Sequence, residues 1–245
     1  HLKEVFVSPN LVDDEEISLR DTCRALAGNL DKYIIDNTVV AVSWGNTLNC
    51  LAGQIQPLKA KDIKVVQLNG GVAKSASSTG ASQIVDALTM AGHGIGYMFP
   101  VPAIVDSKHT SEILQEETQV KNVLRLAKEA EVSIFSIGAL SKDSILYEVE
   151  YLKDEDFQAL EKNKAVGDIA SRYFDINGNI ALKELDDRVV GFGLEELREK
   201  EWTIAIAVGV NKVDAIIGAL RAGFMNVLYT DEKTAREILN RNLLG

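Results

Sequence analysis

The sequence predicts an α/β protein, doubly wound around a mainly parallel sheet, with a small inserted β/helical lobe. Three observations point there. Short β-branched runs alternate with helical patterns along the chain, the order that builds right-handed β–α crossover units. The runs are continuously apolar rather than alternating, as strands covered on both faces are. Three runs end in glycine-bearing corners: "VVAVSWGNT" (Val39–Thr47), "VVQLNGG" (Val65–Gly71) and "IAIAVGVNK" (Ile204–Lys212).

In chain order, Glu4–Val7 is the first expected strand, and Asp13–Tyr33 the first helix. The helix opens on Asp-Asp-Glu-Glu, and acids suit the positive end of the helix dipole. Strands follow at Thr38–Ser43 and Ile63–Leu68, then a helix at Gly80–Ala91, a strand at Ile95–Pro100, a helix at Thr118–Ala130 and a strand at Val132–Ile137. The stretch Ser141–Gly193 breaks this rhythm. It is rich in Asp, Glu and Lys, and Asp175-Ile176-Asn177-Gly178 reads as a turn between two short strands. It is expected to form a lobe beside the sheet rather than a second domain. The rhythm resumes with strand Thr203–Val208, helix Val213–Ala222, strand Asn226–Thr230 and helix Asp231–Leu239. Val213, Ile216, Ile217 and Leu220 make one apolar stripe at helical spacing.

Composition bounds the function. A hydrophobic content of 46% over 245 residues supports a sizeable core. No apolar run reaches the roughly 18 residues a membrane helix needs, so no membrane partner is expected. A net charge of -10 argues against a broad nucleic-acid-binding face on this chain. Cys23 and Cys50 lack metal-like spacing and fit reduced core positions in a cytoplasmic protein. The chain starts at His1 rather than Met, as a fragment of a longer protein would.

The corners carry the expected chemistry. Ligands of open parallel sheets bind beyond the carboxyl ends of the strands. Glycine lets backbone N–H groups approach a ligand, and the start of the next helix favours an anion such as phosphate. Gly45, Asn46 and Thr47, then Asn69, Gly70 and Gly71, then Gly209 to Lys212, each have this arrangement. Of the chain's 36 acids, only Asp62 falls between Asn37 and Val85, and only Asp214 between Trp202 and Thr230. Acid-poor corners in an acidic chain suit an anion site, since a carboxylate would repel phosphate. Lys212 sits where a helix starts, a place the dipole disfavours for a cation by a few tenths of a kcal/mol unless an anion is near. Asp168 can accept hydrogen bonds from sugar hydroxyls. Trp44 adjoins the first corner. His93 and His109 have no partner pattern, and "GHGIG" (Gly92–Gly96) precedes a strand, so it is not a dinucleotide fingerprint. No catalytic triad, metal-ligand set, Walker sequence or cofactor motif stands out.

"VSWGNT" (Val42–Thr47), "VVQLNGG" (Val65–Gly71), "AVGDIASRYFD" (Ala165–Asp175) and "AVGVNKVDAI" (Ala207–Ile216) together resemble the effector-binding domain of SorC-type bacterial transcriptional regulators. "FVSP" (Phe6–Pro9) and "DEKTAREIL" (Asp231–Leu239) add a likeness to the branch that governs deoxyribonucleoside operons in bacilli. The resemblance runs from about Val5 to Leu239. It implies that residues 1–245 form a single Rossmann-like effector-binding domain, related to sugar-phosphate isomerases and deaminases but without their catalysis. It further implies a phosphorylated sugar as effector, a homo-oligomer (dimer or tetramer), and operator DNA bound only through an N-terminal helix-turn-helix that this chain lacks. By motif, Asn46 and Thr47 would meet a phosphate, Gly70, Gly71 and Thr79 would line the second corner, Asp168 would receive sugar hydroxyls, and Lys212 would pair with phosphate. One departure matters. Asn69 stands where the bacillary branch has a lysine, so an imine with an open-chain sugar cannot form at that position. Val210 replaces a glycine common in the family.

A sensor of sugar phosphate is therefore the expected function. An isomerase- or deaminase-like enzyme is the alternative, and it would need a positioned acid–base pair. A purely structural oligomerisation domain would leave the acid-poor loops and Lys212 unexplained.

Overall fold

In the computed structural model, residues 2–71, 81–148 and 150–243 are described. Seven strands form one sheet: β1 (Glu4–Ser8), β2 (Val39–Val42), β3 (Lys64–Gln67), β4 (Ile95–Tyr97), β5 (Val132–Ser136), β9 (Trp202–Ile206) and β10 (Val227–Asp231). Their spatial order is β1-β10-β9-β5-β2-β3-β4, and every pairing is parallel. Side-chain alternation sorts each strand between two cores. Val40, Val42, Ile134, Ile204 and Ile206 face one. Val39, Ala41, Phe135, Ala205 and Ala207 face the other. Both faces are apolar because both are covered, which is why the runs read as continuous.

Helices α1 (Glu15–Asn29), α2 (Asn46–Ala52) and α3 (Ala81–Ala91) cover the first face through Leu26, Leu48, Leu51, Ile84 and Leu88. Helix α4 (Lys108–Glu116) leads into α5 (Thr118–Glu129), which covers the second face with α9 (Val213–Ala222) and α10 (Glu232–Leu243). The Asp14 side chain caps α1 by accepting from the Ile17 N–H at 3.0 Å. This places the helix start within the predicted acidic cluster, one turn of 3-10 helix (Leu30–Lys32) completing its predicted length. Cys23 and Cys50 are free thiols that meet where α1 packs on α2.

Several predicted bounds shift for physical reasons. Strand β4 stops at Tyr97, because the Phe99 N–H donates to the Gln67 side chain (2.9 Å) instead of a ladder carbonyl. Asp231 closes β10 and caps the following helix from outside its first turn, its carboxylate accepting from the Thr234 N–H at 3.3 Å. Helices α2 and α4 have no counterpart among the predicted ranges.

The lobe holds a second sheet in the order β6 (Gly138–Ala139), β7 (Ala165–Ile169), β8 (Arg172–Asp175), all antiparallel. Short helices α6 (Ile145–Glu148), α7 (Asp154–Lys162) and α8 (Lys183–Asp186) enclose its own small core around Leu146, Phe157, Leu160 and Tyr173. The turn predicted at Asp175–Gly178 is present, with Gly178 at φ +80°, but beyond it β8 meets only a single bridge, Phe174 to Ile180. The true hairpin bend is Ala170-Ser171, joining β7 to β8.

Arg172 ties the lobe together. Its guanidinium donates to Phe192 O (2.7 Å), Gly191 O (3.2 Å) and the Asp186 carboxylate (2.5 Å), and it is almost wholly buried. Removing one partner of a buried ion pair strands the other, at a cost of about 3–5 kcal/mol. Arg172→Met should lower unfolding free energy by that amount in urea titration. Breaking the exposed Arg125–Glu129 pair by Arg125→Ala should change it by less than about 1 kcal/mol.

Candidate functional site

The chain leaves β2 toward β3 and β4, and leaves β5 toward β9 and β10. The loops beyond β2 and β5 therefore diverge, and such a switch point opens a crevice at the carboxyl ends. A cleft of about 410 Å³ lies there, within the range of small-molecule sites. Its walls are the first corner (Ser43 to Thr47), Asn69 after β3, Ser136 to Ala139 after β5, the segment Ser141 to Leu146, Asp168 with the Ala170-Ser171 turn, and Asn211 with Lys212 after β9. Glu15 closes one side.

The first corner needs glycine for conformation. Gly45 has φ +129° and stands at the N-cap of α2, whose first turn no side chain caps. Trp44 donates its indole N–H to Gly70 O at 2.8 Å, fastening the first corner to the second. Deeper in, Ser43 Oγ and Asn69 Oδ1 are buried and find no hydrogen-bond partner among the described residues. Asn69 Nδ2 is engaged by Ser171 Oγ at 3.1 Å. Two open acceptors in a polar cleft mark places for a ligand's donors or for water.

Lys212 ends a 3-10 turn and stands at the N-cap of α9, half-buried at the cleft wall. Its backbone N–H donates to Gly209 O at 3.1 Å, but its ammonium makes no hydrogen bond or ion pair with any described residue. Burial pulls its ammonium pKa down, while the fields of Glu15 and Asp168 oppose this. Asp168 shows the opposite imbalance. Burial pushes its carboxyl up to about 6, and the Ser171 N–H (3.1 Å) with the field of Lys212 only partly offsets that. Oδ1 of Asp168 fills the space beside Gly138, where an added Cβ would lie 2.2 Å away. The turn that presents Ser171 is strained, with Ala170 at φ +51° and Ser171 at φ +71°. Non-glycine residues hold such angles only where the surroundings over-determine them.

Of the residues singled out in the sequence, the cleft gathers Gly45, Asn46, Thr47, Asn69, Asp168 and Lys212. Gly70, Gly71 and Gly209 are not on its surface. Gly70 is required by the chain packed against it, because a Cβ there would sit 2.4 Å from Pro102 O. Gly71 bridges to Pro102. Gly209, at φ +118°, donates its N–H to Thr234 Oγ1 at 2.9 Å. Thr79 lies outside the described residues. The corners are acid-poor in sequence, but the cleft they open onto is less so: Glu15 and Asp143 join the expected Asp168 on its wall. They come from α1 and the lobe, so counting acids around the corners could not register them. Ser43 and Ser171 were also missed, and the only sequence signal for either is its place beside a quoted motif.

Among the described residues, no group of three or more His, Cys, Asp or Glu is placed to hold a metal, and no helix is long and apolar enough to cross a membrane.

Residues 1–240 match the Sugar-bind family of sugar-binding domains. The deoxyribonucleoside regulator of Bacillus subtilis (strain 168) is 33% identical over 220 residues, covering 90% of this chain and 70% of that protein. A DeoR family transcriptional regulator from Listeria monocytogenes superposes with a TM-score of 0.88 at 26% identity, over 97% of this chain and 94% of that one. The full-length sorbitol operon regulator SorC from Klebsiella pneumoniae shares the fold, with a TM-score of 0.89 at 22% identity over 97% of this chain and 77% of that one.

Asp168 sets a pH dependence. Its folded-state pKa is raised, so folding binds its proton more tightly than the unfolded chain does. The stability this contributes is present at low pH and lost as pH rises through about 6. Thermal unfolding of the unliganded protein between about pH 4 and pH 7 should show that loss, and Asp168→Asn should flatten it and raise the midpoint at pH 7. A variant with the wild-type slope would contradict the assignment.

Proposed function

The chain belongs to the Sugar-bind family of sugar-binding domains found in transcriptional regulators, and from that premise we propose that its cleft senses a phosphorylated sugar. The observation that carries the proposal is Lys212: a half-buried ammonium at the junction of the strand ends, with no counter-ion among the described residues. A phosphate between this ammonium and the uncapped N–H groups of Asn46 and Thr47 would supply the missing charge. The sugar would then extend toward Asp168, Asn69 and Ser43, which line the cleft and carry acceptors for hydroxyl protons. Asn69 holds the ligand by hydrogen bonds only, since an amide cannot form an imine.

Binding without turnover is part of the proposal, supported by relatives that carry regulator names. The effector would bias a homo-oligomer between two states, with operator DNA contacted by a part of the regulator outside this chain. Only an unequal affinity for those states can transmit the signal.

Isothermal calorimetry against ribose 5-phosphate, 2-deoxyribose 5-phosphate, fructose 6-phosphate and glucosamine 6-phosphate tests this. At least one should bind, and its unphosphorylated counterpart should not. Lys212→Ala should weaken binding about ten- to a hundredfold, the worth of one charge-assisted contact. A folded protein that binds none of the four would refute the proposal, and chemical conversion of any of them by NMR would shift it to an enzyme.

A further inference from the structure

We propose that Glu15 is an internal competitor for the ligand's anion, a carboxylate held over the third corner that sets the affinity of the cleft. The inference rests on the sugar-phosphate reading of the same cleft and adds a residue to it.

Glu15 is the first residue of α1, far in sequence from every corner, yet its side chain reaches across to the loop after β9. Its Oε1 lies 2.9 Å and its Cδ 3.2 Å from where a Cβ on Gly209 would stand. The carboxylate therefore sits over Gly209, at the start of the bend that leads to Lys212, and glycine is what makes room for it. Glu15 forms no ion pair with Lys212 that would hold it there, but its field acts on the Lys212 ammonium more strongly than that of Asp168. Asn211, the other residue of this corner on the cleft wall, is exposed, with its Oδ1 beside the same point. The charged groups of this corner are thus the Lys212 ammonium and the Glu15 carboxylate, with Asp143 and Asp168 further along the cleft wall. Helix α1 does not need Glu15 in that pose, since Asp14 supplies its cap and Glu16 supplies a second acid to its first turn.

An incoming phosphate meets repulsion from Glu15 and must turn that carboxylate out to water. Neutralising Glu15 should therefore tighten binding of anions, although removing a polar cleft residue ordinarily weakens it. Glu15 is exposed, so water screens part of this repulsion, which is worth about two- to fivefold in affinity and shrinks as salt is raised.

The test is calorimetry on the intact domain with ribose 5-phosphate, 2-deoxyribose 5-phosphate and inorganic phosphate, comparing wild type, Glu15→Gln and Glu16→Gln at low and high salt. Glu16 is exposed and off the cleft, so its variant changes net charge equally without touching the site. The expected result is about two- to fivefold tighter binding for Glu15→Gln alone, with the gain fading at high salt. Equal gains in both variants would assign the effect to net charge and overturn the proposal. Unchanged or weaker binding in Glu15→Gln, beside measurable wild-type binding, would overturn it while leaving the sugar-phosphate reading standing. No binding by any of the three proteins would overturn both.

Discussion

The carboxyl ends of β2 and β5 lie side by side, and the chain departs from them in opposite directions. A parallel sheet cannot fill the gap this leaves, because each strand needs its own crossover and the two crossovers go to opposite sides. Everything described at the cleft is a consequence. The first corner and the β5–β6 connection face each other across the gap. The β9 corner joins from one side, and the lobe, inserted between β5 and β9, folds back over the top with Asp168 and Ser171. The two apolar cores hold this arrangement rigid, since each central strand is packed on both faces.

Within that frame the charges are out of balance. Lys212 is partly desolvated with no counter-ion, Asp168 is desolvated with one backbone N–H and no cation in contact, and Ser43 and Asn69 each keep an open acceptor. Folding alone would not select such a set, because buried polar groups cost free energy when unpaired. Clusters of perturbed groups in a concave site are where ligands bind. The arrangement also has polarity: a cation and free helix-start N–H groups at one end, carboxylate and amide acceptors at the other. The proposed sugar phosphate, an anionic group bearing several hydroxyls, would meet both ends at once.

Much of this was legible in the sequence, and the failures are instructive. The β-strands were visible because burial on two faces removes the alternation that would otherwise mark them. Their predicted ends overran where the last apolar residues, such as Leu68 and Val208, leave the ladder to build a corner. Glycine was read too generously. Gly45 does serve the cleft, but Gly70 answers to Pro102 and Gly209 to Thr234 and Glu15, constraints set by distant segments that no local motif records. The hairpin bend at Ala170-Ser171 was missed because it has no Gly or Asn to mark its positive φ angles, and a local bond from the Ser171 N–H to Asp168 with a tertiary one from Asn69 fixes it instead. The carboxylates of Glu15 and Asp143 were invisible for the same reason: they reach the cleft through topology, not through proximity in sequence.

The most direct measurement is a crystal structure of the domain soaked with the tightest-binding sugar phosphate. Phosphate density between the Lys212 ammonium and the N–H groups of Asn46 and Thr47, with sugar hydroxyls on Asp168 and Asn69, is the predicted result. Density in which the phosphate lies away from Lys212, or a ligand seated outside this cleft, would contradict it.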